Sequence, residues 1–152
     1  MPGQGHAKYA HIVIEAKTGR VLHSLNARTK NYPASLTKIM TLYMTFEALK
    51  DGSLLIHQKL PVSRIAAGRS PSKLGLRRGE RITVNNAIKA LITKSANDVA
   101  TVLAEAMGGT ERKFAVMMTR RARALGMRNT TFKNASGLPN RGKPRSARSL
   151  DA

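Results

Sequence analysis

Two short stretches of this 152-residue chain carry side chains that could do chemistry together. In Ser35-Leu36-Thr37-Lys38 a serine and a lysine stand three apart where a helix is expected to begin. On a helix such residues share a face, with Cβ atoms about 5–6 Å apart. A hydroxyl at the positive end of a helix, beside an amine stripped of water by apolar neighbours, is an activated nucleophile. Burial disfavours the ammonium form, so Lys38 would be neutral and able to take the proton of Ser35. The second stretch is Ser95-Ala96-Asn97, at the junction of two apolar segments. There a serine hydroxyl can relay a proton between an amine and a leaving group, and an asparagine amide can hold a carbonyl.

Either motif alone is inexpensive. An isolated Ser-x-x-Lys more often means an N-cap serine and a surface lysine. The chain holds a second copy at Ser70-Pro71-Ser72-Lys73, which reads as solvated surface in a Gly/Pro/Ser-rich stretch. Ser-x-Asn also recurs at Ser24-Leu25-Asn26, and residues 95–97 taken alone more often mean a helix end followed by an Asn97 cap.

The elements that would position these residues can be read in order. Tyr9 to Ala16 and Arg20 to Ala27 alternate and are rich in β-branched residues, with Lys17-Thr18-Gly19 as the turn of a hairpin. Pro33 and Ala34 interrupt that pattern, and a helix is predicted over Ile39 to Lys50, stopped by Asp51-Gly52. Ser53 to Arg81, with two prolines and three glycines, reads as irregular, holding short strands or turns of a surface excursion. Thr83 then caps a helix whose apolar face is Val84, Ala87, Ile88, Leu91 and Ile92. Asn97 caps the next, with Ala100, Val102, Leu103, Ala106 and Met107, closed by Gly108-Gly109. Thr110 caps a third, with Phe114, Met117, Met118, Ala122 and Leu125, ended by Gly126. The two helices meeting at Ser95–Asn97 should form a buried hairpin. From Asn129 the chain reads as loop.

At this length one domain is expected, burying roughly 68–70% of the surface that the unfolded chain exposes. The core would be aliphatic and methionine-rich, since aromatics are only 4% of residues. There is no cysteine, hence no disulfide or thiolate metal site, and the four histidines lie at no metal-ligand spacing. No cofactor is implied. The net charge of +19 attracts polyanions such as nucleic acid, anionic lipid or cell-wall polymer, non-specifically and in a salt-sensitive way. No stretch approaches the roughly 20 apolar residues of a membrane span. Met1 to Ala10 has no apolar core of signal-peptide length, so either the protein is not exported or the chain begins after its export signal.

Ser35-x-x-Lys38 followed by Ser95-x-Asn97 resembles the penicillin-recognising serine enzymes. The stretches YPASLTKIMTLY, SKLGLRRGE, LITKSANDVATVLAE, RARALGMRNTTF and NASGLPN sharpen this. In order and spacing they are similar to the serine D-alanyl-D-alanine carboxypeptidases, the low-molecular-mass penicillin-binding proteins. The resemblance covers about Ala10 to Leu138. It implies an α/β (α+β) fold of β-lactamase/transpeptidase type: a helical subdomain and an N-terminal hairpin, without the remaining sheet strands. It implies that Ser35 is acylated, Lys38 is its general base, Ser95 shuttles the proton and Asn97 binds the peptide carbonyl. The reaction implied is removal of the terminal D-alanine from peptidoglycan stem pentapeptides, outside the cytoplasm, with β-lactams trapped on the same serine. A β-lactamase fits less well, because position 96 is Ala where class A enzymes have Asp.

The family's third motif, Lys-Thr-Gly on a strand beside the nucleophile, follows Ser-x-Asn by a long interval. Here Lys17-Thr18-Gly19 is the sole copy; it precedes the nucleophile, inside a hairpin turn. The expectation is therefore a partial transpeptidase-like domain over 9–139, after a disordered 1–8 and before a basic, poorly ordered 140–152. Such a chain would be weakly active or inactive. The alternative is an inactive basic module binding anionic cell-wall polymer or nucleic acid through its charge.

Overall fold

Helix α4, Asn97–Gly108, is the axis of the molecule: every residue from Asn97 to Ala104 is buried. A helix that is apolar on nearly all sides has to be surrounded, and helices before and after α4 in the chain, together with a short strand, pack against it. The computed structural model describes residues 9–139 apart from 28 and 30. In chain order the elements are β1 (His11–Ile14), β2 (Val21–Leu25), a 3-10 turn (Ala34–Leu36), α1 (Thr37–Lys50), β3 (Lys59–Pro61) and α2 (Arg64–Ala67). Then come β4 (Arg81–Thr83), α3 (Val84–Lys94), α4 and α5 (Glu111–Ala124). The core gathers Leu60, Val84, Val99, Leu103, Phe114 and Met118 around α4. The expected fold class, helices with small sheets, is what these elements form.

Of the three helix starts expected to be capped, two are. Thr83 accepts from the backbone N–H of Asn86 (3.2 Å), and Thr110 accepts from Lys113 (3.2 Å). Asn97 is not a cap. Ala96 holds the N-cap position with extended backbone, and Asn97 is the first helical residue, its side chain turned elsewhere. The segment Ser53–Arg81 holds a short strand, as expected, but it reaches into the core and is not confined to the surface. Its β3 pairs antiparallel with β4, Leu60 opposite Ile82, and Leu54, Leu60, Val62 and Ala66 are buried. The predicted apolar faces are too wide: Ile92, Ala106, Met117 and Leu125 lie exposed or half-exposed at the edges of the buried stripes.

Helix α1 begins two residues before the predicted Ile39 and is turned inside out relative to a simple amphipathic reading. It buries Thr37, Lys38, Met40, Thr41 and Thr45, and exposes Ile39 and Phe46. The β1–β2 hairpin is as expected, with His11 opposite Leu25 and Ile12 opposite Ser24. Both its faces are exposed, and Val13, Ile14, Val21 and Leu22 are each about half open to solvent. The exposed hairpin residues and, on α1, Ile39 and Phe46 leave apolar side chains open to solvent among the described residues. Among those residues no helix is long and apolar enough to cross a membrane. The expectations for 1–8 and 140–152 lie outside the described residues.

Candidate active site

Ser35 sits in the 3-10 turn that feeds α1, and a strained residue sets that turn. Ala34 is left-handed (φ +46°), a conformation that costs a non-glycine residue of order 1–3 kcal/mol and persists only when its surroundings impose it. Pro33 ahead of it has φ −71°, the value its ring enforces, and Pro33 O accepts from Leu36 N (3.0 Å). The turn leaves Ser35 facing solvent, while Lys38, three residues on, is 4% exposed.

The predicted pair is formed. Lys38 Nζ lies 3.3 Å from Ser35 Oγ and donates to the backbone carbonyl of Ser136 (2.9 Å). One helical turn later Thr41 Oγ1 donates to the preceding carbonyl, Ala135 O (2.8 Å), so α1 grips two successive peptide units of the 132–139 loop. That loop is shaped by Asn134, whose Oδ1 accepts from Ser136 N (3.2 Å) and Gly137 N (2.6 Å), an Asx-type turn. No carboxylate neutralises Lys38: the ion pairs among the described residues are Arg20–Glu15, Arg69–Glu111 and Arg121–Glu47. Burial lowers the Lys38 pKa below the ordinary lysine value, since removing water costs the ammonium more than the amine.

The Ser95–Asn97 corner is the C-terminus of α3 and the start of α4. Ser95 ends α3 in the left-handed region (φ +52°), half-buried, and its hydroxyl makes no hydrogen bond among the described residues. Asn97 is 4% exposed; its Nδ2 donates to Ser70 O (2.9 Å) and its backbone N–H to Ser72 O (2.8 Å). Ser72 Oγ donates back to Lys94 O (2.8 Å). The second Ser-x-x-Lys, expected to be plain solvated surface, is therefore laced to this corner by its backbone. The Ser35–Lys38 pair and the Ser95–Asn97 corner share no direct hydrogen bond; the helices that carry them, α1 and the α3–α4 pair, pack on one another.

Sequence reasoning passed over the groups that hold these residues in place. Asp98, fully buried, accepts from four backbone N–H groups: Leu74 (2.9 Å) and Val99 (2.9 Å) on Oδ1, Gly75 (2.8 Å) and Leu76 (3.1 Å) on Oδ2. Its signal was present, an acid directly after Ser-x-Asn in an apolar run. The Ser136 carbonyl had none, because a backbone oxygen leaves no mark in composition. Beside the turn a cavity of about 370 Å³ is lined by Tyr32, Ala34, Thr37, Phe132 and Leu138 among others, and neither Ser35 nor Lys38 borders it. Thr37 Oγ1 there is buried with no hydrogen-bond partner among the described residues.

Lys17-Thr18-Gly19 forms the exposed β1–β2 turn, with Thr18 Oγ1 donating to Glu15, as expected for a hairpin and not for a catalytic strand. His11 and His23 stack across the hairpin (4.8 Å between rings). Among the described residues no cluster of three or more His, Asp or Glu could hold a metal.

Residues 2–152 match the family described as D-alanyl-D-alanine carboxypeptidase. D-alanyl-D-alanine carboxypeptidase DacF of Bacillus subtilis is 37% identical over 142 residues, which are 93% of this chain and 36% of DacF. DacC of Escherichia coli is 35% identical over 147 residues, 93% of this chain and 37% of DacC. Among solved structures, the carboxypeptidase DacD of Francisella tularensis superposes with a TM-score of 0.87 at 33% identity, covering 97% of this chain and 35% of that one. Penicillin-Binding Protein D2 of Listeria monocytogenes in its ampicillin-bound form gives 0.82 at 32% identity, covering 99% and 59%. The chain thus spans a little over a third of the length of the curated relatives it matches.

Proposed function

The chain belongs to the D-alanyl-D-alanine carboxypeptidase family, and from that premise we propose that it carries the acylation half of a serine D-Ala-D-Ala carboxypeptidase site. The observation that supports this most is the pairing of Ser35 Oγ with the nearly buried Lys38 amine at 3.3 Å. Ser35 Oγ attacks the carbonyl carbon of the peptide bond between the last two D-alanines of a stem pentapeptide. Its proton passes to the uncharged Nζ of Lys38, which burial favours. The C–N bond breaks, and the leaving D-alanine amine takes a proton relayed through the Ser95 hydroxyl. The ester on Ser35 is then hydrolysed by water, which restores the serine. Asn97 uses one side-chain N–H on Ser70 O and offers the other to the peptide carbonyl. β-Lactams acylate the same serine.

Turnover by this chain alone is slow. Its single Lys-Thr-Gly lies in the hairpin turn, and apolar side chains of the hairpin and, on α1, Ile39 and Phe46 are exposed among the described residues. Losing one oxyanion-hole donor typically lowers kcat by about 10²–10³. A substrate in peptidoglycan sets the place of action outside the cytoplasm, in the periplasm or its equivalent. The test is release of D-alanine from a pentapeptide ending in D-Ala–D-Ala. Slow release that disappears in Ser35→Ala supports the reading; release unaffected by that substitution overturns it.

A further inference from the structure

Glu111, the first residue of α5, touches both of the loops that grip the site. Its Oε1 accepts from the backbone N–H of Ala135 (3.1 Å) and stands 3.4 Å from Thr101 Oγ1 on α4. Its Oε2 is ion-paired with Arg69, whose Nε donates to the same Thr101 hydroxyl (2.9 Å). The carboxylate side chain is 11% exposed and that of Arg69 26%, so the pair is largely shielded from water.

Two of the partners of Glu111, Arg69 and Ala135, are immediate chain neighbours of a residue that grips the site. The residue after Arg69 is Ser70, whose carbonyl accepts from Asn97 Nδ2. The residue after Ala135 is Ser136, whose carbonyl accepts from Lys38 Nζ. One carboxylate is therefore linked through the Ala135 amide to the loop that holds Lys38, and through the Arg69 side chain to the loop that holds Asn97. Glu111 itself has no hydrogen bond to Ser35, Lys38, Ser95 or Asn97 among the described residues.

We infer that Glu111, with Arg69, is a positioning residue that keeps the Lys38 side and the Asn97 side of the site in one register. Its meaning for catalysis rests on the proposed function; the positioning itself rests on the geometry. Charge-assisted hydrogen bonds are roughly twice as strong as neutral ones, and removing one partner strands the other's charge in a half-dry setting. An ordinary structural ion pair would stabilise the fold without distinguishing the two loops. This one has separable arms: the amide contact to Ala135 needs only an oxygen, whereas the contact to Arg69 needs a charge.

The test compares the full chain with Glu111→Ala, Glu111→Gln, Arg69→Met and a control, Glu47→Gln, which breaks the distant Arg121–Glu47 pair. Hydrogen exchange is read at the backbone amide of Ala135 and at the side-chain amide of Asn97, which donates to Ser70 O, and Ser35 labelling by a fluorescent penicillin is followed in parallel. Glu111→Ala should speed exchange at both amides by about tenfold over the control, the loss of one charge-assisted bond at each arm. Glu111→Gln and Arg69→Met should loosen Asn97 and leave Ala135 protected, and labelling should fall in all three variants but not in the control. Unchanged Asn97 exchange in Glu111→Gln overturns the inference, as does loosened exchange with unaltered Ser35 labelling. If Glu111→Ala does not fold, the other two variants carry the test. If the unmodified chain is not labelled at all, the proposed function fails while the exchange pattern still decides the positioning.

Discussion

The α-carbon of Gly137 lies against the carbonyl of Ala34, so close that a methyl group there would stand 1.8 Å from that oxygen. The same methyl would fall 2.9 Å from Thr37 Oγ1. The loop whose Ser136 carbonyl holds the lysine is thus seated directly on the strained turn that presents the serine. Nucleophile and base are fixed by one contact between two backbones.

Gly137→Ala should therefore cost roughly 3 kcal/mol or more, from a backbone clash added to the strain of φ +80° for an L-residue. Thermal unfolding should show a midpoint several degrees lower, and Ser35 labelling by penicillin should fall further than stability alone accounts for. A variant with an unchanged midpoint would show that the turn and the loop are not in contact.

Asp98 holds the 72–76 stretch against the Ser95–Asn97 corner by its carboxylate. Asp98→Asn keeps the shape but turns an N–H₂ toward backbone donors, and should lose about 2–4 kcal/mol in urea denaturation. Hydrogen exchange should rise first at Leu74, Gly75 and Leu76. Loss spread evenly over the molecule would argue against a local clamp.

Thr37→Val removes a buried hydroxyl that has no partner among the described residues and conserves the volume. An unsatisfied buried polar group costs about 1–3 kcal/mol, so this substitution should raise the unfolding midpoint. A lower midpoint would mean that the hydroxyl is satisfied by a group entering the adjoining cavity.

Lys38 gives the pH dependence its sign. Its pKa in the folded chain lies below the ordinary 10.5, so between those two values the unfolded chain binds more protons than the folded one. Stability then rises with pH through that window, and below it Lys38 carries its full burial cost. Urea denaturation of the unmodified chain against Lys38→Met should show the unmodified chain gaining as pH climbs toward 10.5. A constant difference would mean that the amine is hydrated in the folded state.

The helices were legible because their caps and periods are local: Thr83, Thr110 and the Gly108-Gly109 stop each act within a turn of their own position. The Ser35–Lys38 pairing was legible for the same reason, as an (i, i+3) relation, although Ser35 stands in the 3-10 turn just ahead of the helix that carries Lys38. The inverted face of α1 was not, since Ile39 and Phe46 read as core and Thr41 and Thr45 as surface until Ala135 O and α4 are placed beside them. Asn97 misled as a cap because its alternative partner, Ser70 O, is 27 residues away in the chain. The acceptor of Lys38 is a backbone carbonyl 98 residues away, a distance at which spacing says nothing.

Activation of Ser35 by Lys38 is open to a direct chemical test: incubating the chain with a penicillin and mapping the covalent adduct by mass spectrometry. A slow single adduct on Ser35 is expected, absent from Ser35→Ala and lost or greatly slowed in Lys38→Met. No adduct after prolonged incubation, or one on any other residue, would contradict a lysine-activated serine at this site.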